Sequence, residues 1–290
     1  MKTLLIGADG QLGTDLTKVY AADQLIPLTI TDLDVCDYEK VGEIFRASKP
    51  DVVINTAAYH RVDECETYPD RALAVNALAV RNLALVCKEI NAILVHFSTD
   101  YVFDGEASRP YTEHDTPRPV SAYGISKLTG ELFIRYLYDR HFILRLCGLY
   151  GVRGSMEKGT NFVETMLKLA QEGKEIKVVN DQTLTPTYTR ILAPRIKALI
   201  ATQRFGLYHM TCDGGCSWYE FAQAIFELSG LTPKLSPTTS EQYKTPAKRP
   251  RYSVLENENL KNVPSVEPMP FWRDALKDYL EERKASPLRR

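Results

Sequence analysis

The sequence predicts an α/β fold: a Rossmann-type doubly wound parallel sheet joined to a smaller mixed α/β substrate domain. Three observations carry this. Short apolar runs alternate with helical patterns through the first half of the chain. The first of those runs passes directly into a glycine-rich turn that opens a helix. Beyond about residue 150 the alternation gives way to polar loops, short strands and a segment rich in Pro, Thr and Lys. The first unit is therefore placed at residues 1–150 and the second at 151–290, with parts of the second expected to return to the first.

A chain of 290 residues is long enough to bury a sizeable core. Its net charge of −1 and pI near 6.5 leave no electrostatic footprint for nucleic acid or an anionic membrane, and the terminal Arg289-Arg290 pair is too short to alter that. With no basic-then-apolar leader and no apolar window of spanning length, a soluble cytoplasmic protein is expected. The six cysteines are scattered, as befits free thiols in a reducing compartment. His209, Cys212 and Cys216 lie close in sequence, but without a second Cys-x-x-Cys they predict no metal.

Taken in order, Lys2-Thr3-Leu4-Leu5-Ile6 is a buried strand, and Gly7, Gly10 and Gly13 follow at intervals of three before a helix to about Tyr20. Such glycines let the backbone turn tightly and approach a pyrophosphate, whose charge meets the helix amino terminus. This marks a dinucleotide site. The second strand runs from about Leu25 to Thr29. An acid at its end favours NAD and a base favours NADP, but Thr29 and Ile30 are neither, so NADH and NADPH both stay open. Asp37 is placed to accept from an adenine amino group. A helix over Tyr38–Ser48 leads to the strand ending Asn55-Thr56-Ala57-Ala58, whose small residues leave room for a cofactor. Asp63, Glu64 and Glu66 read as an acidic loop. Arg71 to Glu89 reads as one long helix, interrupted at Asn76, which faces either solvent or a water in a proton relay.

The stretch from Ser98 to Lys127 carries the chemistry. The apolar run Ile93-Leu94-Val95-His96-Phe97 reads as a buried parallel strand, so Ser98 and Thr99 fall at the carboxyl edge where α/β sheets bind ligands. Pro110, Pro117 and Pro119 mark the connection that follows as a loop over the site. Tyr123 and Lys127 then share one face of a helix. A strand-end hydroxyl, a phenol and an ammonium can together deliver a proton to a carbonyl oxygen. Phe142 to Leu146 is one more strand. In the second half Gly151 to Thr160 reads as a loop, Phe162 to Gln171 and Trp218 to Ser229 as helices, and Ile176 to Val179 as a strand.

Together these segments resemble the extended short-chain dehydrogenases/reductases, and among them the dTDP-4-dehydrorhamnose reductase family. The motifs span nearly the whole chain: Gly10-Gln11-Leu12-Gly13, Val62-Asp63, Val75-Asn76, Ser98 through Gly105, Tyr123 with Lys127, Asn161-Phe162, Asp181-Gln182 with Pro186-Thr187, and Arg249-Pro250. The resemblance implies reduction of the 4-keto group of a dTDP-deoxysugar, dTDP-4-dehydro-L-rhamnose above all, with NADPH or NADH, and it allows a homodimer. It makes Tyr123 the proton donor. Lys127 would hold the nicotinamide ribose and lower the phenol pKa, and Thr99 would orient the keto oxygen. Gly7, Gly10, Gln11, Leu12 and Gly13 would meet the pyrophosphate, with Ala57, Ala58 and Tyr59 along the nicotinamide half. Val62, Asp100, Asn161, Asp181, Gln182 and Arg249 would meet the substrate.

Leu144-Arg145-Leu146-Cys147-Gly148 departs from the family's Leu-Arg-x-x-Trp, leaving the hexose open. Two other functions fit the fold. A nucleotide-sugar dehydratase or epimerase commonly carries Thr-Asp-Glu, where this chain has Thr99-Asp100-Tyr101. A non-catalytic subunit, such as the regulatory one of methionine adenosyltransferase, would not need Asp181, Gln182 and Arg249.

Overall fold

The computed structural model describes residues 1–153 and 160–285. Most of the loop expected over residues 151–160, and the Arg289-Arg290 pair, lie outside the described residues.

The chain begins with β1 (Lys2–Ile6), α1 (Gln11–Val19), β2 (Gln24–Leu28), α2 (Tyr38–Ser48) and β3 (Val52–Asn55). Then come α3 (Val62–Thr67), α4 (Pro69–Leu73), α5 (Ala79–Ile90), β4 (Ile93–Thr99), α6 (Ala122–Leu137) and β5 (His141–Leu146). The second half contains β6 (Leu149–Tyr150), α7 (Phe162–Gln171), β7 (Ile176–Val179), β8 (Thr183–Leu184) and β9 (Thr187–Tyr188). It continues through α8 (Thr189–Ala201), β10 (Gly206–His209), β11 (Cys216–Ser217), α9 (Trp218–Ser229), β12 (Leu235–Thr238), α10 (Glu258–Lys261) and α11 (Trp272–Ala285).

Six of these strands form one parallel sheet in the order β10-β5-β4-β3-β1-β2. Strand direction of side chains explains why both faces are covered. Leu4, Val53, Leu94 and Ile143 point to the face packed by α2, α5 and α6, while their neighbours Leu5, Val52, Val95 and Phe142 point to the other. That second face is shared by α1, α8 and the aromatic core of the second half, including Tyr150, Tyr188, Phe221 and Tyr279. Pro27 is tolerated because β2 is an edge strand. The last strand, β10, comes from deep in the second half, and α8 before it packs on α1.

Two local expectations change. Asp63, Glu64 and Glu66 lie on the short helix α3 rather than in a loop. Asn76 does not face solvent. It is fully buried in a π-helical turn over Ala74–Leu78, between α4 and α5. Its Oδ1 accepts from Tyr59 N–H at 2.9 Å, and its Nδ2 donates to Tyr59 O and to Ser126 Oγ. The widened turn also lets Asn76 O approach α6, where a Cβ on Gly130 would come within 2.3 Å of it.

Candidate active site

Beyond the carboxyl ends of β1, β3 and β4 the two halves enclose a cleft of about 1280 Å³. Its location follows from topology. The chain leaves β1 outward to β2 and then crosses back to β3, which opens a crevice at that reversal. Gly7, Gly10, Gln11, Leu12 and Gly13 line one wall of it. Gly7 has φ +77°, and its N–H and that of Ala8 donate to Leu28 O, tying the turn to β2. A Cβ on Gly13 would lie 2.1 Å from Gly7 O, so α1 can start here only on glycine. Ala57, Ala58, Tyr59 and Val62 line the cleft from the β3 side.

The reacting end of the cleft is set by β4 and α6. Ser121 caps α6 by accepting from Gly124 N–H, and Glu66 accepts from Ala122 N–H at 2.8 Å, so α6 begins in a fixed place. Gly124 lets that first turn press on the β4 loop, since a Cβ there would be 2.2 Å from Tyr101 O. Thr99, Tyr123 and Lys127 consequently face the same cavity. Thr99 Oγ1 donates to Asp100 Oδ1 at 3.0 Å and accepts from Tyr101 N–H.

Burial pushes the Tyr123 phenol well up from its ordinary value, and the charge of Asp100 adds to this, while a hydrogen bond with Thr99 brings it down. The phenol therefore holds its proton, as a donor must. Lys127, one turn along the same helix, has its Nζ 3.4 Å from His96 Nε2. Burial also brings Lys127 itself down to about 8, against the raising effect of Glu131. Asp100 is pushed up by burial, and Cys147 Sγ donates to its Oδ2 at 3.1 Å. Hence Cys147, in the segment that departs from the family pattern, backs the Thr99–Asp100 pair.

The opposite wall comes from the second half. Arg249 lines the cleft and donates to Asp63 Oδ2 at 2.9 Å, so Asp63 on α3 serves to hold a cation over the site. Asn161 caps α7 and donates to Gly151 O, while Gly151 N–H donates to Gln11 Oε1. Gln11 thus joins the glycine turn to the second half. Phe162 and Trp218, with ring centroids 4.6 Å apart, give this wall an aromatic surface.

The family model of the RmlD substrate binding domain matches residues 1–285. The chain belongs to the RmlD family, that of the dTDP-4-dehydrorhamnose reductases. A dTDP-4-dehydrorhamnose reductase of Burkholderia thailandensis is 40% identical over 95% of this chain and 97% of its own length. The crystal structure of one from Clostridium acetobutylicum superposes with a TM-score of 0.92 at 42% identity, covering 98% of this chain and 100% of that one. That of Bacillus anthracis, a complex with NADP, has the same TM-score at 36% identity and covers 97% and 100%.

For this RmlD-family chain three of the expected site residues stand elsewhere. Thr29 does not line the cleft: its N–H and hydroxyl both donate to Asp32 just beyond β2, while Ile30 and Asp34 face the cavity. Asp37 is the cap of α2, accepting from Lys40 N–H, and it too lies off the cleft. Asp181 accepts from Ser240 N–H and Oγ, so it shapes the loop after β12. Its neighbour Gln182 does line the cleft and donates to the same Ser240. His209 Nδ1 lies 3.1 Å from Tyr111 O and 3.0 Å from Glu256 O. Phe162 and Trp218 went unnoticed as site residues. The signal at Trp218 was the capping box of Ser217 and Glu220, which fixes where α9 starts.

The glycine turn makes a quantitative prediction. Gly13→Ala should force the turn apart, at about 1–3 kcal/mol for overpacking of this kind. Expressed in the turn, that is about 5- to 150-fold weaker NADPH binding. At Gly10 a Cβ would stand 3.3 Å from Gly7 O, so Gly10→Ala should cost much less. A fluorescence titration that finds equal affinities for the two variants would show that the turn does not hold the dinucleotide.

Proposed function

We propose that this protein reduces the 4-keto group of a dTDP-deoxysugar, converting dTDP-4-dehydro-L-rhamnose to dTDP-L-rhamnose. The observation that carries the reading is the convergence of Thr99, Tyr123 and Lys127 on the cleft that the glycine turn also lines. The Gly13 contact, which any Cβ would fill, fits that turn to the close approach of a dinucleotide pyrophosphate. Gly7 to Gly13 would hold the phosphates, Ala57 to Tyr59 the nicotinamide half, and Lys127 the ribose. The bound cofactor supplies hydride chemistry. The chain does the rest. Thr99 orients the keto oxygen, and Tyr123 gives it the phenol proton as the carbonyl carbon is reduced. The Lys127 ammonium stabilises the phenolate left behind. Arg249, held by Asp63, offers a cation to the diphosphate of the substrate, and Gln182 and Asn161 line the same cleft.

Tyr101 supports a reductase over a dehydratase. Where the latter carries an acid, this chain sets a ring edge-on to Tyr123, with centroids 5.7 Å apart. Thr29 and Ile30 at the end of β2 are neither acid nor base, so NADH and NADPH should bind within about tenfold of each other, or ~1.4 kcal/mol. A hundredfold preference in parallel titrations would mean that another residue reads the adenosine ribose. The reaction is tested by offering dTDP-4-dehydrorhamnose and dTDP-4-keto-6-deoxyglucose with each cofactor. The first should be reduced faster. Faster reduction of the second would reassign the hexose, and no turnover of either would refute the reading.

A further inference from the structure

His96 lies fully buried in β4, between Asn55 of β3 and Lys127 of α6. Its Nδ1 is 3.3 Å from Asn55 Nδ2, and its Nε2 is 3.4 Å from Lys127 Nζ. The Asn55 amide cannot be turned round, because its Oδ1 accepts from Ala57 N–H at 3.1 Å. Its NH₂ group must therefore face the imidazole. Nδ1 then accepts, and the single proton of the neutral ring sits on Nε2, aimed at Lys127. An Nε2–H meets an ammonium donor to donor, but it meets an amine donor to acceptor. Among the described residues Lys127 Nζ has no other hydrogen-bond partner.

We propose that Asn55 and His96 form a positioning relay for Lys127, in which the tautomer imposed by Asn55 decides whether the lysine is held as amine or ammonium. For its consequence in catalysis the proposal rests on the reductase reading above. The ring carries one proton in both states. When Lys127 takes up a proton, the ring proton leaves Nε2 for Nδ1, so that Nε2 can accept from the ammonium and Nδ1–H is turned against the Asn55 amide. The relay thus biases Lys127 toward the amine, and it links the backbone at Ala57 to the charge beside the phenol.

The surroundings agree. Burial keeps His96 well below the usual imidazole range, and the Lys127 charge adds to this, so the ring is neutral throughout. The other titratable groups around the trio are few. Glu131, one turn further along α6, is gripped at both oxygens by Arg145 of β5. Tyr123 lies on α6 itself, and Asp100 stands beyond the phenol at the end of β4.

The test begins with the tautomer. In a ¹⁵N-histidine spectrum of the wild-type protein, assigned with His96→Leu, the proton should be on Nε2 at a pH well above 8, where Lys127 is an amine, and should pass to Nδ1 as the pH falls through about 8. A proton that stays on Nδ1 at alkaline pH would overturn the proposal, whatever the variants do. Asn55→Asp gives Nδ1–H an acceptor and frees Nε2 for the ammonium. The pH at which NADPH affinity begins to fall should then rise by about one unit, a tenfold gain in relative affinity on the alkaline side. The new carboxylate would raise it by charge alone, so the same change is made in the His96→Leu background. There the relay predicts that most of the shift disappears. A shift of full size without His96 would overturn it. These readouts need no substrate, so a protein that reduced no keto sugar would lose the reductase reading and leave the relay standing or falling on its own.

Discussion

Tyr123→Phe should lower kcat by about 10²–10⁴-fold, the usual contribution of a general acid, and leave NADPH affinity nearly unchanged. The variant removes one oxygen and keeps the ring, which is in edge contact with Tyr101. Thr99 loses the phenol but keeps its bonds to Asp100 and to Tyr101 N–H, so the end of β4 stays in place. The loss falls on the transition state, where the proton is needed, and spares the ground-state complex. Steady-state kinetics with a parallel NADPH titration separates the two. Wild-type kcat in the Phe variant would mean that another group protonates the sugar.

The second large effect lies beneath the site. Arg145 and Glu131 form a bidentate ion pair in which both side chains are about 1% exposed or less. It joins β5 to α6 one helical turn beyond Lys127, and the guanidinium also lies over the Phe103 ring. Such a pair adds little over a well-packed apolar substitute, but removing one member leaves a buried charge alone. Arg145→Met should therefore cost about 3–5 kcal/mol of stability, and Glu131→Leu added to it should restore most of that. Denaturant melts of the single and double variants measure this. Equal losses in both would mean that shape alone explains the site, and that the stranded carboxylate carries no penalty.

The part of the site that could be read from sequence is the part built from local patterns. An apolar run ending in Ser98-Thr99 and a Tyr123–Lys127 pair on one helix face depend only on strand and helix periods. The glycine turn is equally local, though which of its glycines is in the tightest contact, Gly13, is seen only in the structure. Asp37 was misjudged even though the signal was local: an Asp immediately before a helical run is a cap first. Asp181 and Asn76 were misjudged because their partners are remote. Ser240 lies 59 residues from Asp181, and Ser126 lies 50 from Asn76. For the same reason the sixth strand was invisible. Gly206–His209 is four residues long and becomes a strand only because β5 offers it an edge. Phe162 and Trp218 meet across the gap between two helices, where no periodicity points.

Reduction in this cleft delivers a hydride to the fourth carbon of the dTDP sugar. The most direct measurement follows the label: NADPH carrying deuterium at its transferable position is incubated with the protein and dTDP-4-dehydrorhamnose. The product should be dTDP-rhamnose with deuterium at the sugar's fourth carbon, one label for each cofactor oxidised. Oxidised cofactor without label in the sugar, or a bound cofactor that is never oxidised, would contradict the account.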